Sequence, residues 1–150
     1  MTEAPTGQKA KTPWHLWVVG VVAVLFNFIG VFDYSMTMLQ GESYMASAGM
    51  TPEQIAHYAA MPMWMLVVWA VGVFGAFGAS ILLVLKRKLS APVFLVSLAA
   101  FLLSLVHTYI LTGSGPIMGQ QMAITSAVIA VLLAFFAFYA RQMARAGRLT

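Results

Sequence analysis

Asn27, Asp33, Tyr34, His107, Gln121 and Thr125 are the side chains in this sequence whose types and spacing could build a binding site. The run Asn27-Phe28-Ile29-Gly30-Val31-Phe32-Asp33-Tyr34 interrupts a stretch of pure hydrocarbon that begins at Trp17 with an amide, a glycine, a carboxylate and a phenol. Such a set can hold a small ligand by hydrogen bonds and one charge. Ionisable groups inside an apolar span are costly and by default face an interior or a wet cavity. A second reading stays open beside it, in which Asp33 is a solvated helix end while Asn27 and His107 are hydrogen-bonding glue between helices. No catalytic residue is assigned.

Methionine offers a different chemistry. Met36, Met38, Met45, Met50, Met61, Met63, Met65, Met118 and Met122 fall in or beside the segments between apolar runs. Thioethers bind Cu(I), so Met36, Met38, Met61, Met63 and Met65 with His57 form an alternative soft-metal set. Methionine is also the general gap filler of apolar cores. Of the three histidines, only His57 and His107 are placed to share a haem iron. The sequence contains no phosphate-binding loop, dinucleotide fingerprint, Ser-His-Asp order or zinc spacing, and no cofactor is expected.

The elements that position these residues follow from composition. With 61% hydrophobic and 8% charged residues over 150 positions, the chain lies outside the range of soluble domains. Its apolar residues form long blocks, which select helices over a β-barrel. There is no cysteine. The basic residues flank apolar spans without interleaved aromatics, so lipid headgroups, not nucleic acid, are the partner expected of Lys86, Arg87 and Lys88.

Residues 1–12 read as a short polar tail. Four spans are expected, at about 14–34, 63–85, 92–111 and 118–139, each close to the roughly 20 residues a bilayer core requires. Pro13, Pro62 and Pro92 mark helix starts, and Thr112-Gly113-Ser114-Gly115-Pro116 marks a turn. The segment 35–62 is an outer loop with a short surface helix at 51–60, signalled by Thr51-Pro52-Glu53. All eight basic residues, Lys9 and Lys11 included, fall on one side of this threading, and Asp33, Glu42 and Glu53 on the other. The positive-inside rule then puts both termini in the cytoplasm. The expected fold is an all-α integral membrane four-helix bundle, up-down-up-down, in a single domain.

Small residues should mark the seams of such a bundle, because close backbone approach drives helix association in lipid. Gly20, Ala23, Asn27, Gly30 and Tyr34 run down one side of the first span, and Gly72, Gly75, Ala76 and Ala79 form overlapping small-xxx-small pairs in the second. From Trp14 or Pro92, at about 1.5 Å per residue, Asn27 lies roughly 20 Å across the bilayer, His107 roughly 22 Å and Asp33 roughly 28 Å. Asn27 and Gly30 are thereby assigned to a buried seam, and Asp33 and Tyr34 to an outer rim.

Asn27-x-x-Gly30-x-x-Asp33-Tyr34, Thr51-Pro52-Glu53 followed by Pro62-x-Trp64, Gly75-x-x-Gly78 and Lys86-Arg87-Lys88 leading to Ala91-Pro92-Val93 together resemble a family of small four-helix bacterial inner-membrane proteins of unknown function, often labelled hypothetical or sugar transporter. The resemblance implies a bacterial inner membrane and no particular activity. Two functions are expected from the residues: a small-ligand binding or transport protein, as a homo-oligomer given the little volume four short helices enclose, or an accessory subunit of a larger membrane complex.

Overall fold

The computed structural model describes residues 13–150, and these are all-α, with no strand among them. The polar tail, with Lys9 and Lys11, lies outside the described residues. Six helices follow in order: α1 (Trp14–Gln40), α2 (Glu42–Ser47), α3 (Pro52–Ala59), α4 (Met63–Val84), α5 (Ser90–Val106) and α6 (Gly115–Arg145), with a π-helical turn, His107–Leu111, closing α5.

Four of these segments, Trp14–Gln40, Met63–Val84, Ser90–Leu111 and Gly115–Arg145, are long and apolar enough to cross a membrane. Their outward faces carry Leu25, Ile29, Val67, Leu95, Val131 and Phe138, all exposed. Water does not tolerate that much contiguous apolar surface, whereas lipid does, and the chain is accordingly a multi-pass membrane protein.

The helix limits follow backbone chemistry more closely than hydropathy. Helix α1 does not stop at Tyr34. It continues until Gly41, whose positive φ of 59° lets its N–H close on the Thr37 carbonyl at 2.9 Å. Ser35–Gln40 contains neither Pro nor Gly, and Thr37 steadies it by donating to the Asp33 carbonyl at 2.8 Å. The loop that follows is also more ordered than its composition implies, since Glu42–Ser47 forms α2. Helix α3 is closed by a capping box in which Thr51 Oγ1 accepts from the Gln54 N–H and Gln54 Oε1 accepts from the Thr51 N–H.

Helix α4 ends in a Schellman arrangement, with Lys86 N–H on Leu83 O and Arg87 N–H on Leu82 O. Lys86 takes the left-handed position that glycine usually fills, at φ 59°. Helix α5 begins at Ser90, two residues before Pro92, a tolerable place for proline because a first-turn N–H has no partner inside the helix. Helix α6 is broken at Gly119, where φ 80° and ψ 172° separate its first turn from the rest. At its far end it extends to Arg145, beyond Tyr139, and Leu149 returns to the core while Thr150 pairs with Lys86 and Lys88.

Helix α4 packs against both α1 and α5, and α5 packs against α6. Near the end that carries Trp14, Lys86–Lys88 and Arg141–Arg148, here called the basic end, all four long helices close on one core. It consists of Leu16, Ala23, Ala79, Leu83, Ala91, Phe94, Phe136, Ala137, Ala140 and Leu149. Phe136 sits at its centre, 5.8 Å from Phe94 and 6.2 Å from Phe26 between ring centroids. A hydrogen bond between His15 Nδ1 and the Tyr139 hydroxyl joins α1 to α6 at the same level.

A cavity at the acidic end

Towards the opposite end the arrangement opens. A cavity of about 540 Å³ lies there, lined from α1 by Phe26, Asn27, Gly30, Phe32 and Asp33, from α4 by Met65, Trp69 and Ala76, from α5 by Ala100, Phe101 and Ser104, and from α6 by Met122, Thr125 and Ile129. Helix α2 contributes Tyr44 and Met45, and α3 contributes Tyr58. Ile29, Phe32, Asp33 and Thr125 line the cavity and are also exposed, so its mouth lies on the side between α1 and α6.

Helical geometry decides which sequence candidates reach it. Asn27, Gly30 and Tyr34 are spaced by three and four residues and share one face of α1, whereas Asp33 lies about 100° away. That shared face meets α4. The Asn27 amide donates to Ser80 Oγ at 2.7 Å, and Ser80 Oγ donates in turn to the Ala76 carbonyl at 2.7 Å. Tyr34 donates to the Leu66 carbonyl at 3.3 Å and sets its ring edge-on to Trp69 and Phe74. Tyr34 is therefore a packing residue and no part of the rim. Asn27 is buried in the same seam and touches the cavity only at its wall.

Asp33 is at the mouth. Its Oδ1 accepts from the Tyr44 hydroxyl at 2.9 Å, a bond that ties α2 back onto α1. This bond raises the Tyr44 pKa above the ordinary phenol value, with desolvation and the Asp33 charge adding to it. Tyr58 is raised as well, first by burial and then by the charge of Asp33 and by Tyr109.

Thr125 lines the cavity and donates to the Gln121 carbonyl at 2.9 Å. Gln121 and His107 are not among the lining residues. His107 is buried in a separate cluster, 6.2 Å from the His57 ring and 5.4 Å from the Trp64 ring between centroids. His57 Nδ1 lies 3.1 Å from Ser114 Oγ. His57 Nε2 and His107 Nδ1 are buried without a hydrogen bond among the described residues. Burial, and to a lesser degree the neighbouring His107, lower the His57 pKa.

The methionine set divides too. Met61 and Met65 line the cavity with Met45, Met50, Met118 and Met122, whereas Met36, Met38, Met63 and His57 do not. No group of three or more His, Asp or Glu residues suited to a metal ion occurs among the described residues.

The small residues serve seams within the chain. A Cβ on Gly20 would lie 2.8 Å from Val84 Cγ2, and one on Gly30 would touch Val73, both on α4. Gly72 faces Ala100 and Ser97 of α5, and a Cβ on Gly75 would collide with Ser97 Oγ. Ala76 and Ala79 are buried, and the Ala79 carbonyl accepts from Ser90 Oγ at 2.8 Å. A Cβ on Gly78 would meet open space among the described residues.

Two contributors were not read from the sequence. Tyr44 reaches Asp33 only because Gly41 reverses the chain between α1 and α2, and no periodicity links the two residues. Gln54 has a second role beyond its cap. Its Nε2 donates to the carbonyls of Ile117 at 3.2 Å and Met118 at 3.0 Å, the two immediately before the Gly119 break. The Thr51-x-x-Gln54 pattern was a signal for the cap; the partner across 64 residues had none.

Compared with known proteins, the chain matches no family model, no curated protein sequence and no solved structure.

Proposed function

We propose that this protein binds or transports a small molecule through the cavity between α1 and α6. The observation that carries the reading is the cavity itself. About 540 Å³ falls within the roughly 300–1,000 Å³ of small-molecule sites, and a largely apolar wall with few placed polar groups is their usual composition. The proposal includes an up-down-up-down bundle in a bacterial inner membrane with both termini cytoplasmic, in keeping with the likeness to small four-helix inner-membrane proteins. Clustering of Lys86, Arg87, Lys88, Arg141, Arg145 and Arg148 at the basic end supports that orientation, with anionic headgroups as their partners. The cavity then belongs to the outer half, and a homo-oligomer is part of the proposal.

The alternative, an accessory subunit that docks on a larger complex through small-residue faces, has less support. Gly20, Gly30, Gly72 and Gly75 all turn towards helices of the same chain.

Ile129→Trp fills the cavity from α6 and tests the reading. Native mass spectrometry of protein extracted from its own membrane in mild detergent is expected to show a retained small molecule in the wild type and none in the variant. Bare protein mass in both, together with full complementation of a deletion phenotype by Ile129→Trp, would overturn it.

A further inference from the structure

We propose that the occupant of the cavity is a lipophilic organic cation, an amine or quaternary ammonium group carried on an apolar body; this rests on the reading of the cavity as a binding site. Charge is the first argument. Among the described residues, Asp33 is the only charged one lining the cavity. Among the described residues the cationic side chains are remote: Lys86 lies over the Trp17 ring, and Trp17 precedes Asp33 by 16 residues of α1, roughly 24 Å. An anion in this cavity would meet a carboxylate and no compensating cation. A neutral molecule would gain nothing from the Asp33 carboxylate, which stays exposed at the mouth.

The wall supplies the second argument. Tyr44, Tyr58, Trp69, Phe101 and Tyr109 surround the space. Aromatic faces attract a cation through the ring quadrupole, and more strongly where water is excluded. Tyr44 already donates to Oδ1 of Asp33, and an ionised carboxylate has about four acceptor positions, so one such bond does not exhaust it.

The mouth supplies the third. Ile29 and Phe32 flank it and are 66% and 50% exposed, which makes the entrance apolar and lateral. Asp33 lies 19 residues beyond Trp14, or roughly 28 Å, close to the edge of a bilayer core about 30 Å thick. Lipophilic cations collect at that boundary, with the charge among headgroups and the apolar body below. Such a molecule can enter sideways between α1 and α6 and bring its charge to Asp33 without crossing hydrocarbon.

Three probes of similar size test the inference on the purified full chain in detergent: tetraphenylphosphonium, tetraphenylborate and neutral triphenylphosphine oxide. Equilibrium dialysis against protein-free micelles measures binding. Saturable binding of tetraphenylphosphonium is expected, with tetraphenylborate at least about tenfold weaker. Asp33→Asn should weaken tetraphenylphosphonium about tenfold and leave triphenylphosphine oxide unchanged. Asp33→Glu should retain the preference for the cation, and so should Tyr44→Phe, which removes the α1–α2 tether but keeps the charge. Equal binding of the two ions, or a preference insensitive to Asp33→Asn, overturns the cation inference; the cavity reading survives if Ile129→Trp still abolishes the binding. Failure of all three probes to bind, or binding untouched by Ile129→Trp, overturns both.

Discussion

Asp33 and Tyr34 are neighbours in the chain and have opposite roles, because one residue of α-helix turns a side chain by about 100°. The seam stripe through Gly20, Ala23, Asn27, Gly30 and Tyr34 was legible as a period, and it is the face that α4 covers. Placing Tyr34 at the rim ignored that period in favour of its polarity. His107 fails as a cavity residue for a related reason. Depth along the bilayer put it level with Asn27, yet depth says nothing about direction, and the side chain turns to His57 and Trp64. The closest seam contact is directly testable. Gly75→Ala is expected to cost about 1–3 kcal/mol in reversible detergent unfolding, because its methyl group would occupy the place of Ser97 Oγ. Ser97→Ala in the same chain should restore most of the loss. A neutral Gly75→Ala, or no rescue by the second change, would contradict the α4–α5 seam.

Among the elements, α3 has the most to explain, since it is short, largely polar and yet fixed across the ends of α5 and α6. Three hydrogen bonds dock it: His57 with Ser114, and Gln54 Nε2 to the Ile117 and Met118 carbonyls just before the Gly119 break. The clasp gives those two carbonyls a donor at the point where Gly119 interrupts the helix. Docking should weaken in acid. Burial holds the docked His57 pKa below its ordinary 6.5, so protonation favours the undocked helix. Stability of the docked state is thus expected to fall as pH drops from about 6.5 towards the lowered value, and to level off beneath it. Hydrogen exchange of the Pro52–Ala59 amides, corrected for intrinsic rates at pH 7.5 and pH 5, measures this. Faster exchange is expected at pH 5 in the wild type and not in His57→Asn; a flat wild-type profile would refute it. Thr51, Pro52 and Glu53 made α3 readable in the sequence. Helix α2 was not readable, since six residues without a cap or an apolar period look like loop.

At the scale of the whole molecule, the four apolar segments were evident from composition, whereas the uneven packing along them was not. The basic end is filled by Phe94, Phe136 and Leu149, contributed by α5, α6 and the C-terminal segment, while the acidic end keeps its volume open. Span lengths carry no information on that difference, which arises from where aromatic rings of separate helices meet. Orientation can be measured without background because the chain has no cysteine. Ser47→Cys should react with a membrane-impermeant maleimide on intact cells, and Lys88→Cys only after lysis. The reverse pattern would invert the proposed topology.

The docking of Thr150 also affects how such measurements are made. Its N–H donates to the Lys86 carbonyl at 2.7 Å and its carbonyl accepts from the Lys88 N–H at 3.1 Å, directly behind the buried Leu149. A substitution at Leu149 or Thr150 therefore acts on the turn between α4 and α5 and on the core beneath it. A cysteine label at Ser47 or an internal epitope at the exposed Ala48–Gly49 turn leaves that junction untouched.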